Sequence, residues 1–185
     1  MVGRRDKNVE LTMREPGACK ELMVTEGKFF GLNIRIILVY FDSDKKVDSE
    51  GARSNRVLRR EVEDRIEDND KDGLIILGDM NGHIERLDGR KEDINGKMIW
   101  EWLDTYDLIL INGDDKCKGV FTWEGRGGRS RTAINMVLVN REVYEKCRGM
   151  VIDENKEVTA ISDHNLVTIE LKLGGGGGRN LGGRG

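Results

Sequence analysis

Several features of membrane and secreted proteins are missing from this sequence of 185 residues. No apolar run approaches the roughly 20 residues of a membrane-spanning helix, so we expect no membrane segment. The first residues, MVGRRDKNVE, lack the apolar stretch of a secretory signal peptide, which argues against secretion. The cysteines Cys19, Cys117 and Cys147 have neither disulfide-framework nor zinc-site spacing. We therefore expect reduced thiols and a nuclear or cytoplasmic protein.

A large excess of either charge is also lacking. Lys and Arg number 31 against 34 Asp and Glu, a formal net charge of -3, which excludes a globally basic, histone-like nucleic-acid binder but not a local basic face. The chain length suits one domain or a large part of one. Residues 174–185 hold 8 of the 24 glycines and are expected to be disordered, which leaves residues 1–173 to form the domain.

Apolar patterning predicts strands that alternate with helices. Residues at helical spacing predict helices over 50–68 and 96–106, and a short one over 141–147. Short apolar runs predict strands, and these are 33–40, 74–81, 108–112, 120–123, 134–140 and 167–173. Strands interleaved with helices predict a layered α/β domain, and continuous apolar runs are typical of sheets that are covered on both faces.

Polar side chains occur where the apolar strands end. Gly78-Asp79-Met80-Asn81-Gly82 directly follows the apolar run of 74–77. In an extended chain Asp79 and Asn81 point to the same side, where a carboxylate and an amide can orient a water molecule and a phosphate oxygen. The alternative interpretation is a plain turn, because Asn-Gly is a strong turn signal.

Two further motifs have the same position relative to strands. Ser162-Asp163-His164 precedes the last predicted strand. A neighbouring carboxylate favours the protonated imidazole, which can stabilise a phosphate or act as an acid or base. The alternative is a surface histidine beside a capped turn. The third motif, SRTAINMVLV over 130–139, is by itself compatible with an ordinary strand that has a polar start.

Taken in order, the motifs GDMN, FTW, S-R-x-x-I-x-x-V-L-V and SDH resemble the signature series of the endonuclease/exonuclease/phosphatase superfamily, which has the DNase I-like fold. The wider segments LVYFD, FTWEGRGGRSRTAINMVLVN and ISDHNLVTIELKL are similar to endonuclease domains of non-LTR retrotransposons and to craniofacial development protein 2-like proteins. The resemblance spans about residues 20–173. It implies a two-sheet α/β sandwich that cuts phosphodiester bonds of DNA with Mg²⁺ or Mn²⁺ at one rim.

The resemblance also implies a role for individual residues. Asp79 matches the residue that positions or deprotonates the attacking water, and Asn81 matches the amide that holds water or phosphate beside it. Asp163 matches the carboxylate near the metal, and His164 matches the imidazole on the scissile phosphate. Tyr40 matches a tyrosine that contacts the phosphate.

Trp123 of the FTW motif and the segment that follows it would then face nucleic acid. The flat ring of Trp123 can stack on a base or sugar, while Arg126, Arg129 and Arg131 suit phosphate contacts. The alternatives are a core position for Trp123 and a solvated loop for the arginines. His83, just after GDMNG, is expected on the surface, and the alternative is a place near the site.

Two departures from the family pattern indicate an impaired enzyme. The early strands that carry the family's principal metal-ligand glutamate are missing, since the glutamates of residues 1–32 lack its context and lie too close to the 33–40 strand. These glutamates are Glu10, Glu15, Glu21 and Glu26. Asn135 stands where the family has an aspartate that accepts a hydrogen bond from the histidine ring, here His164. An amide has no charge with which to stabilise the imidazolium.

Three interpretations of function are therefore open. The first is a metal-dependent nuclease that itself nicks DNA. The second is a domain of this DNA endonuclease family, incomplete at its N-terminal side and impaired or inactive. The third is a non-catalytic remnant that binds nucleic acid. Missing strands would also leave unpaired strand edges and uncovered apolar faces, so we expect lower solubility and less cooperative unfolding than in a complete family member.

Overall fold

The computed structural model describes residues 9–13, 20–29, 31–44, 46, 48–125, 127–158 and 162–172. Arg126 and the glycine-rich segment 174–185 lie outside the described residues. The described part forms a layer of helices, a six-stranded sheet and a three-stranded sheet, which confirms the predicted α/β sandwich. No helix in this part is long and apolar enough to cross a bilayer.

The strands and helices follow one another along the chain in a mixed order. They are β1 (Val9–Met13), β2 (Leu22–Phe29), β3 (Leu32–Tyr40), α1 (Glu50–Glu67), β4 (Gly73–Asp79), α2 (Glu85–Asp88), α3 (Ile94–Thr105), β5 (Ile109–Leu110), β6 (Cys117–Lys118), β7 (Trp123–Glu124), β8 (Arg131–Thr132), β9 (Asn135–Val139), α4 (Arg141–Lys146), β10 (Cys147–Ile152) and β11 (Val167–Leu171).

The six-stranded sheet has the order β1-β2-β3-β4-β9-β5. Strands β3 and β4 run parallel, and every other neighbouring pair in this sheet is antiparallel. The central strands read as continuous apolar runs because side chains of both faces are covered, by helices on one side and by the second sheet on the other.

Helices α1 and α3 cover one face of this sheet. Each begins at a capping side chain: Ser49 accepts a hydrogen bond from the backbone of Ala52, and Asp93 accepts one from Gly96. Helix α1 buries a stripe at a spacing of four residues, formed by Leu58, Val62 and Ile66. The helices and the sheet thereby enclose the larger apolar core.

The opposite face is covered by a smaller sheet with the order β11-β10-β6. Buried residues of β10, such as Met150 and Ile152, pack against Ile34, Ile75 and Val139 of the first sheet. Strands β7 and β8 form a separate two-stranded ribbon near one end. The second sheet has half as many strands as the first and covers only part of it.

The element predictions have three outcomes. The strands at 33–40 and 134–140 and the helices at 50–68, 96–106 and 141–147 are confirmed to within a few residues. The strands predicted at 108–112 and 120–123 were too long, because the first contributes only Ile109–Leu110 to a ladder and the second overlaps β7 only at Trp123. Strands β1, β2, β6 and β10 were not predicted. In β2 and β10, TEGK and CRG interrupt the apolar pattern.

Candidate active site

Three strand ends of the first sheet bring polar residues together. Because β3 and β4 are parallel, Tyr40 and Asp79 end their strands at the same edge, where they are paired neighbours. Strand β9 runs antiparallel to β4 and begins at that edge with Asn135, which is paired with Asp79. Paired residues of neighbouring strands point to the same face, so the three side chains form a row.

The turn after β4 places Asn81 beside Asp79. Gly78 has a φ of +141°, and a Cβ there would overlap the Val39 carbonyl, so this position requires glycine. The backbone N–H of Asn81 donates to Asp79 Oδ1 at 3.0 Å, and its side-chain Nδ2 donates to the Phe41 carbonyl at 2.7 Å. The GDMNG segment is therefore a turn, as the alternative interpretation expected, and the same turn places Asn81 beside Asp79, as the functional interpretation expected.

His164 reaches this row from a different part of the chain. Its Nδ1 lies 3.0 Å from Asn135 Oδ1, and its Nε2 lies 4.0 Å from Asp79 Oδ2. An amide oxygen can only accept, so the first contact is a hydrogen bond donated by the imidazole Nδ1–H. In the neutral ring, Nε2 therefore carries a lone pair and faces Asp79.

Asn135 itself is held by residues that the sequence patterns did not single out for function. The buried Thr122 hydroxyl accepts the backbone N–H of Asn135 at 2.8 Å, and Asn112 Nδ2 donates to its carbonyl at 3.0 Å. The FTW motif contains Thr122, and this was the only sequence signal for its role. These contacts fix the backbone from which Asn135 meets His164.

Asp163 contacts Trp123 in the same region. The indole Nε1–H donates to Asp163 Oδ2 at 3.1 Å, and this hydrogen bond lowers the pKa of Asp163 below its ordinary value. Strand β7 is also bridged to the SDH segment between Trp123 and His164. Gly125 leaves room for the ring, because a Cβ there would lie 2.9 Å from it. Trp123 is half-buried, and its polar edge is directed at Asp163 rather than at solvent.

Two of the three arginines that were predicted to contact nucleic acid belong to the described residues. Arg129 and Arg131 are exposed, and the Arg131 guanidinium lies 5.6 Å from the centre of the Phe121 ring. Arg126 lies outside the described residues. Arg90, which the sequence analysis did not select, donates to Ser130 Oγ at 2.9 Å and adds a third exposed arginine to this surface. Tyr40 is also accessible, at 53% exposure.

His83, expected on the surface with a place near the site as the alternative, is only partly exposed and lies just after the Asp79–Asn81 turn. The ring is 21% exposed and its Nδ1 lies 3.1 Å from Asp88 Oδ2, a carboxylate with no exposed surface. Its sequence neighbours are polar and glycine-rich, so no local pattern indicated burial. The partners are contributed by α2 and by β8, 5 and 49 residues away along the chain.

The described residues do not complete a divalent-metal site. Mg²⁺ prefers carboxylate and carbonyl oxygens in near-octahedral geometry. Within the described ranges, no group of three or more His, Cys, Asp or Glu side chains could hold a metal ion. Glu26 is engaged by Arg35, while Glu21 is exposed one strand beyond Tyr40. The donors that meet at the strand ends therefore do not fit a complete site.

Comparison with known proteins identifies the family. Residues 34–168 match the family described as endonuclease-reverse transcriptase. The endonuclease domain of TRAS1, a telomere-specific non-LTR retrotransposon, is similar in structure, with a TM-score of 0.70 and 17% identity over 91% of this chain and 70% of that one. No curated protein matches this sequence.

Two nucleases with other activities have the same fold. The 3′–5′ exonuclease NExo from Neisseria meningitidis has a TM-score of 0.62 and 19% identity over 89% of this chain and 70% of that one. An AP endonuclease from Archaeoglobus fulgidus has a TM-score of 0.58 and 13% identity over 80% of this chain and 64% of that one. The chain therefore belongs to the endonuclease-reverse transcriptase family, within the DNase I-like superfamily of endonucleases, exonucleases and phosphatases.

Proposed function

We propose that this chain is a retrotransposon-derived endonuclease domain whose site is built for phosphodiester hydrolysis of DNA and whose own activity is impaired. The observation that carries the proposal is the convergence of Asp79, Asn81, Asn135 and His164 at one edge of the sheet. DNA as the substrate is supported by the neighbours, since a Neisseria 3′ phosphatase with this fold was solved with a product DNA hairpin.

Each group at the strand ends has a chemical task in this proposal. Asp79 holds or deprotonates the attacking water, because its carboxylate lies where β3, β4 and β9 meet. Asn81 is fixed beside it through its backbone and side-chain amide and orients the phosphate. The exposed Tyr40 hydroxyl contacts the phosphate from the neighbouring strand, and His164 lies across from Asp79.

Two features of the same site account for the impairment. Asn135 contributes a neutral oxygen to His164, so the imidazolium that would stabilise phosphate charge is not favoured. Asp163, the carboxylate assigned to Mg²⁺ or Mn²⁺ by family resemblance, accepts a hydrogen bond from the Trp123 indole. Among the described residues, no group of three or more His, Cys, Asp or Glu side chains could hold the metal ion.

A plasmid-nicking assay tests the proposal. Supercoiled plasmid with Mg²⁺ or Mn²⁺ is expected to be nicked slowly by the wild-type chain, and Asp79→Ala and His164→Ala are expected to remove the remaining activity. Thr168→Val, an exposed substitution in β11, serves as the control. Nicking at an equal rate in all variants would reveal a contaminating nuclease and contradict the assignment of the site.

A second candidate function is nucleic-acid binding without cleavage. The observation in its favour is the exposed group of Arg90, Arg129 and Arg131 beside the ribbon of β7 and β8. Phosphate contacts by arginine release counterions, so binding is expected to weaken steeply as salt concentration rises. Salt-sensitive binding of double-stranded DNA, without nicking at high protein concentration, would favour this candidate over the first.

We also propose a nuclear or cytoplasmic location. Cys117 and Cys147 are free thiols, and burial raises the pKa of both, so neither is a reactive thiolate at neutral pH. Free thiols suit a reducing compartment. Fluorescence imaging of the tagged full chain tests this location, and accumulation in the secretory pathway would contradict it.

A further inference from the structure

A second cluster of polar side chains is formed by His83, Asp88 and Thr132, and we call it the Asp88 cluster. Asp88 Oδ2 accepts a hydrogen bond from Thr132 Oγ1 at 2.7 Å and lies 3.1 Å from His83 Nδ1. Asp88 Oδ1 accepts the backbone N–H of Arg90 at 3.1 Å. The Asp88 side chain has no exposed surface, so all of its stabilisation comes from these partners.

The protonation state of the cluster follows from its surroundings. Burial alone would raise the pKa of Asp88, but hydrogen bonds from Thr132, the Arg90 backbone and His83 outweigh it and lower the pKa below its ordinary value. Asp88 is therefore ionised at neutral pH and can only accept. The contact between His83 Nδ1 and Asp88 Oδ2 is therefore a hydrogen bond that the imidazole Nδ1–H donates, and it fixes the orientation of the ring.

On one side, the Asp88 cluster is connected to the turn formed by Asp79–Asn81. His83 lies two residues after Asn81, and its backbone N–H donates to Asp93 Oδ1 at 3.3 Å. Asn95 Nδ2 donates to the carbonyls of Met80 and Asn81, at 3.0 and 3.3 Å. The start of α3 and the cluster thereby hold the Asp79–Asn81 turn from its C-terminal side.

The other side of the cluster is tied to the SDH segment. Thr132 is paired with Trp123 across the two-stranded ribbon, and Trp123 donates its indole hydrogen bond to Asp163. Arg90 donates to Ser130 Oγ, which fixes the strand that carries Thr132 at a second point. A continuous set of contacts thus joins Asp88 to Asp163 through one pair of strands.

We propose that the Asp88 cluster is a positioning unit that holds the Trp123–Asp163 pair in register with the Asp79–Asn81 turn. The two halves of the site are contributed by segments about 80 residues apart in the chain, and Thr132 and His83 connect them through a single buried carboxylate. The catalytic consequence rests on the proposed function, whereas the structural coupling does not.

The three tryptophans allow the coupling to be measured without any activity assay. In the full ¹⁵N-labelled chain, each indole N–H has its own acceptor: Glu92 for Trp100, Glu63 for Trp102 and Asp163 for Trp123. Indole resonances are assigned with single Trp→Phe variants. Exchange of each indole hydrogen with water then reports on one hydrogen bond at a time.

Thr132→Val removes the hydroxyl while keeping the shape of the side chain. We expect the Trp123 indole resonance to shift and to lose about tenfold of its exchange protection, with Trp102 unchanged. Thr132→Ser should restore the wild-type behaviour, and Thr168→Val, the matched change in β11, should have no effect. An unchanged Trp123 resonance in Thr132→Val would overturn the proposal.

Loss of all three indole resonances would show that Thr132→Val does not fold. In that case Asp88→Asn tests the proposal in its place. This variant is expected to shift Trp123 and to leave Trp102 in place, and the absence of such a shift would overturn the coupling. In the nicking assay it should lower kcat with little change in KM. If the wild-type chain does not nick plasmid, the proposed function fails while the indole result still decides the coupling.

Discussion

At the scale of single residues, Asn135 is the side chain that meets the ring of His164 in the proposed site. Thr122 and Asn112 hold the Asn135 backbone, so the side chain meets the imidazole in one orientation. The geometry for a hydrogen bond is intact, while the charge that an aspartate would contribute is missing. A neutral acceptor fixes the ring but does little to favour its protonated form.

Asn135→Asp is therefore expected to increase the nicking rate by at least about tenfold. The reverse change in the triad of a serine protease costs about 10⁴-fold in kcat, which sets the direction for an aspartate that supports a catalytic histidine. The rate is measured on supercoiled plasmid with Mg²⁺ over a range of pH. Asn135→Asp combined with His164→Ala is the control, and a gain that survives this second substitution would show that His164 does not mediate it.

Asp88 gives a residue-level prediction for stability. Asp88→Asn is expected to lower the free energy of unfolding by about 1–3 kcal/mol at pH 7, because two buried donors lose a charged acceptor. The pKa of Asp88 is lowered in the folded protein, so its contribution is present above the unfolded value of about 3.9 and is lost as pH falls through the folded value.

Urea unfolding of wild type and Asp88→Asn at pH 7 and at about pH 3 tests the direction of this pH dependence. The difference in stability between the two proteins should shrink in acid. A difference that stays constant between the two pH values would mean that the carboxylate charge contributes nothing and that the substitution acts through packing.

At the scale of elements, a buried arginine joins two strands of the first sheet to the end of α1. Arg35 of β3 is 1% exposed, and its guanidinium contacts Glu26 of β2 at 2.7 Å, Asp68 after α1 and the Arg65 carbonyl. The charge is compensated by these two carboxylates and by Asp70 at 3.7 Å, as a buried cation requires. The β2–β3 hairpin is thereby fastened to the end of α1.

Arg35→Ala is expected to cost about 3–5 kcal/mol of unfolding free energy, because it removes the buried guanidinium that pairs with Glu26 and Asp68. Arg148→Ala is the matched control: Arg148 pairs with Glu170 on the outer face of β10 and β11, where both side chains are mostly exposed, and its loss should cost about 0–1 kcal/mol. Chemical denaturation of the two variants measures both values. Equal costs would contradict the role of Arg35 as a buried link.

At the scale of the whole molecule, the two sheets are unequal in width. One register row of the first sheet runs from Val137 through Leu77 and Leu38 to Met23 on the face toward the second sheet. Val137 is buried, Leu77 and Leu38 are partly buried, and Met23 is 47% exposed. Among the described residues, cover over this apolar row therefore decreases from β9 toward β2.

This uncovered end leads to a prediction for the isolated chain. We expect a hydrophobic dye to bind the native protein and unfolding to be broad, since exposed apolar surface and short ladders weaken cooperativity. Met23→Lys should raise solubility without lowering the midpoint of unfolding. Val137→Lys, in the covered part of the same row, should destabilise the protein strongly. A sharp and reversible two-state transition of the wild-type chain would contradict the prediction.

The sequence by itself determined several local elements and pointed to the main candidate residues of the proposed site. Ser49 and the stripe of Leu58, Val62 and Ile66 define α1, and the apolar run before Asp79 defines β4. These features depend on neighbours within a few residues, where capping and periodicity act. The order of the short motifs likewise indicated the superfamily before any geometry was known.

Only the tertiary structure decided which of these residues touch. The contacts of His164 with Asn135, of Trp123 with Asp163 and of Asp88 with Thr132 join residues 29 to 44 positions apart. Such contacts depend on strand register and on which sheet each strand joins, and a slip of one residue would turn every side chain to the opposite face. The burial of His83 and Arg35 has the same origin, because their partners come from other elements rather than from adjacent sequence.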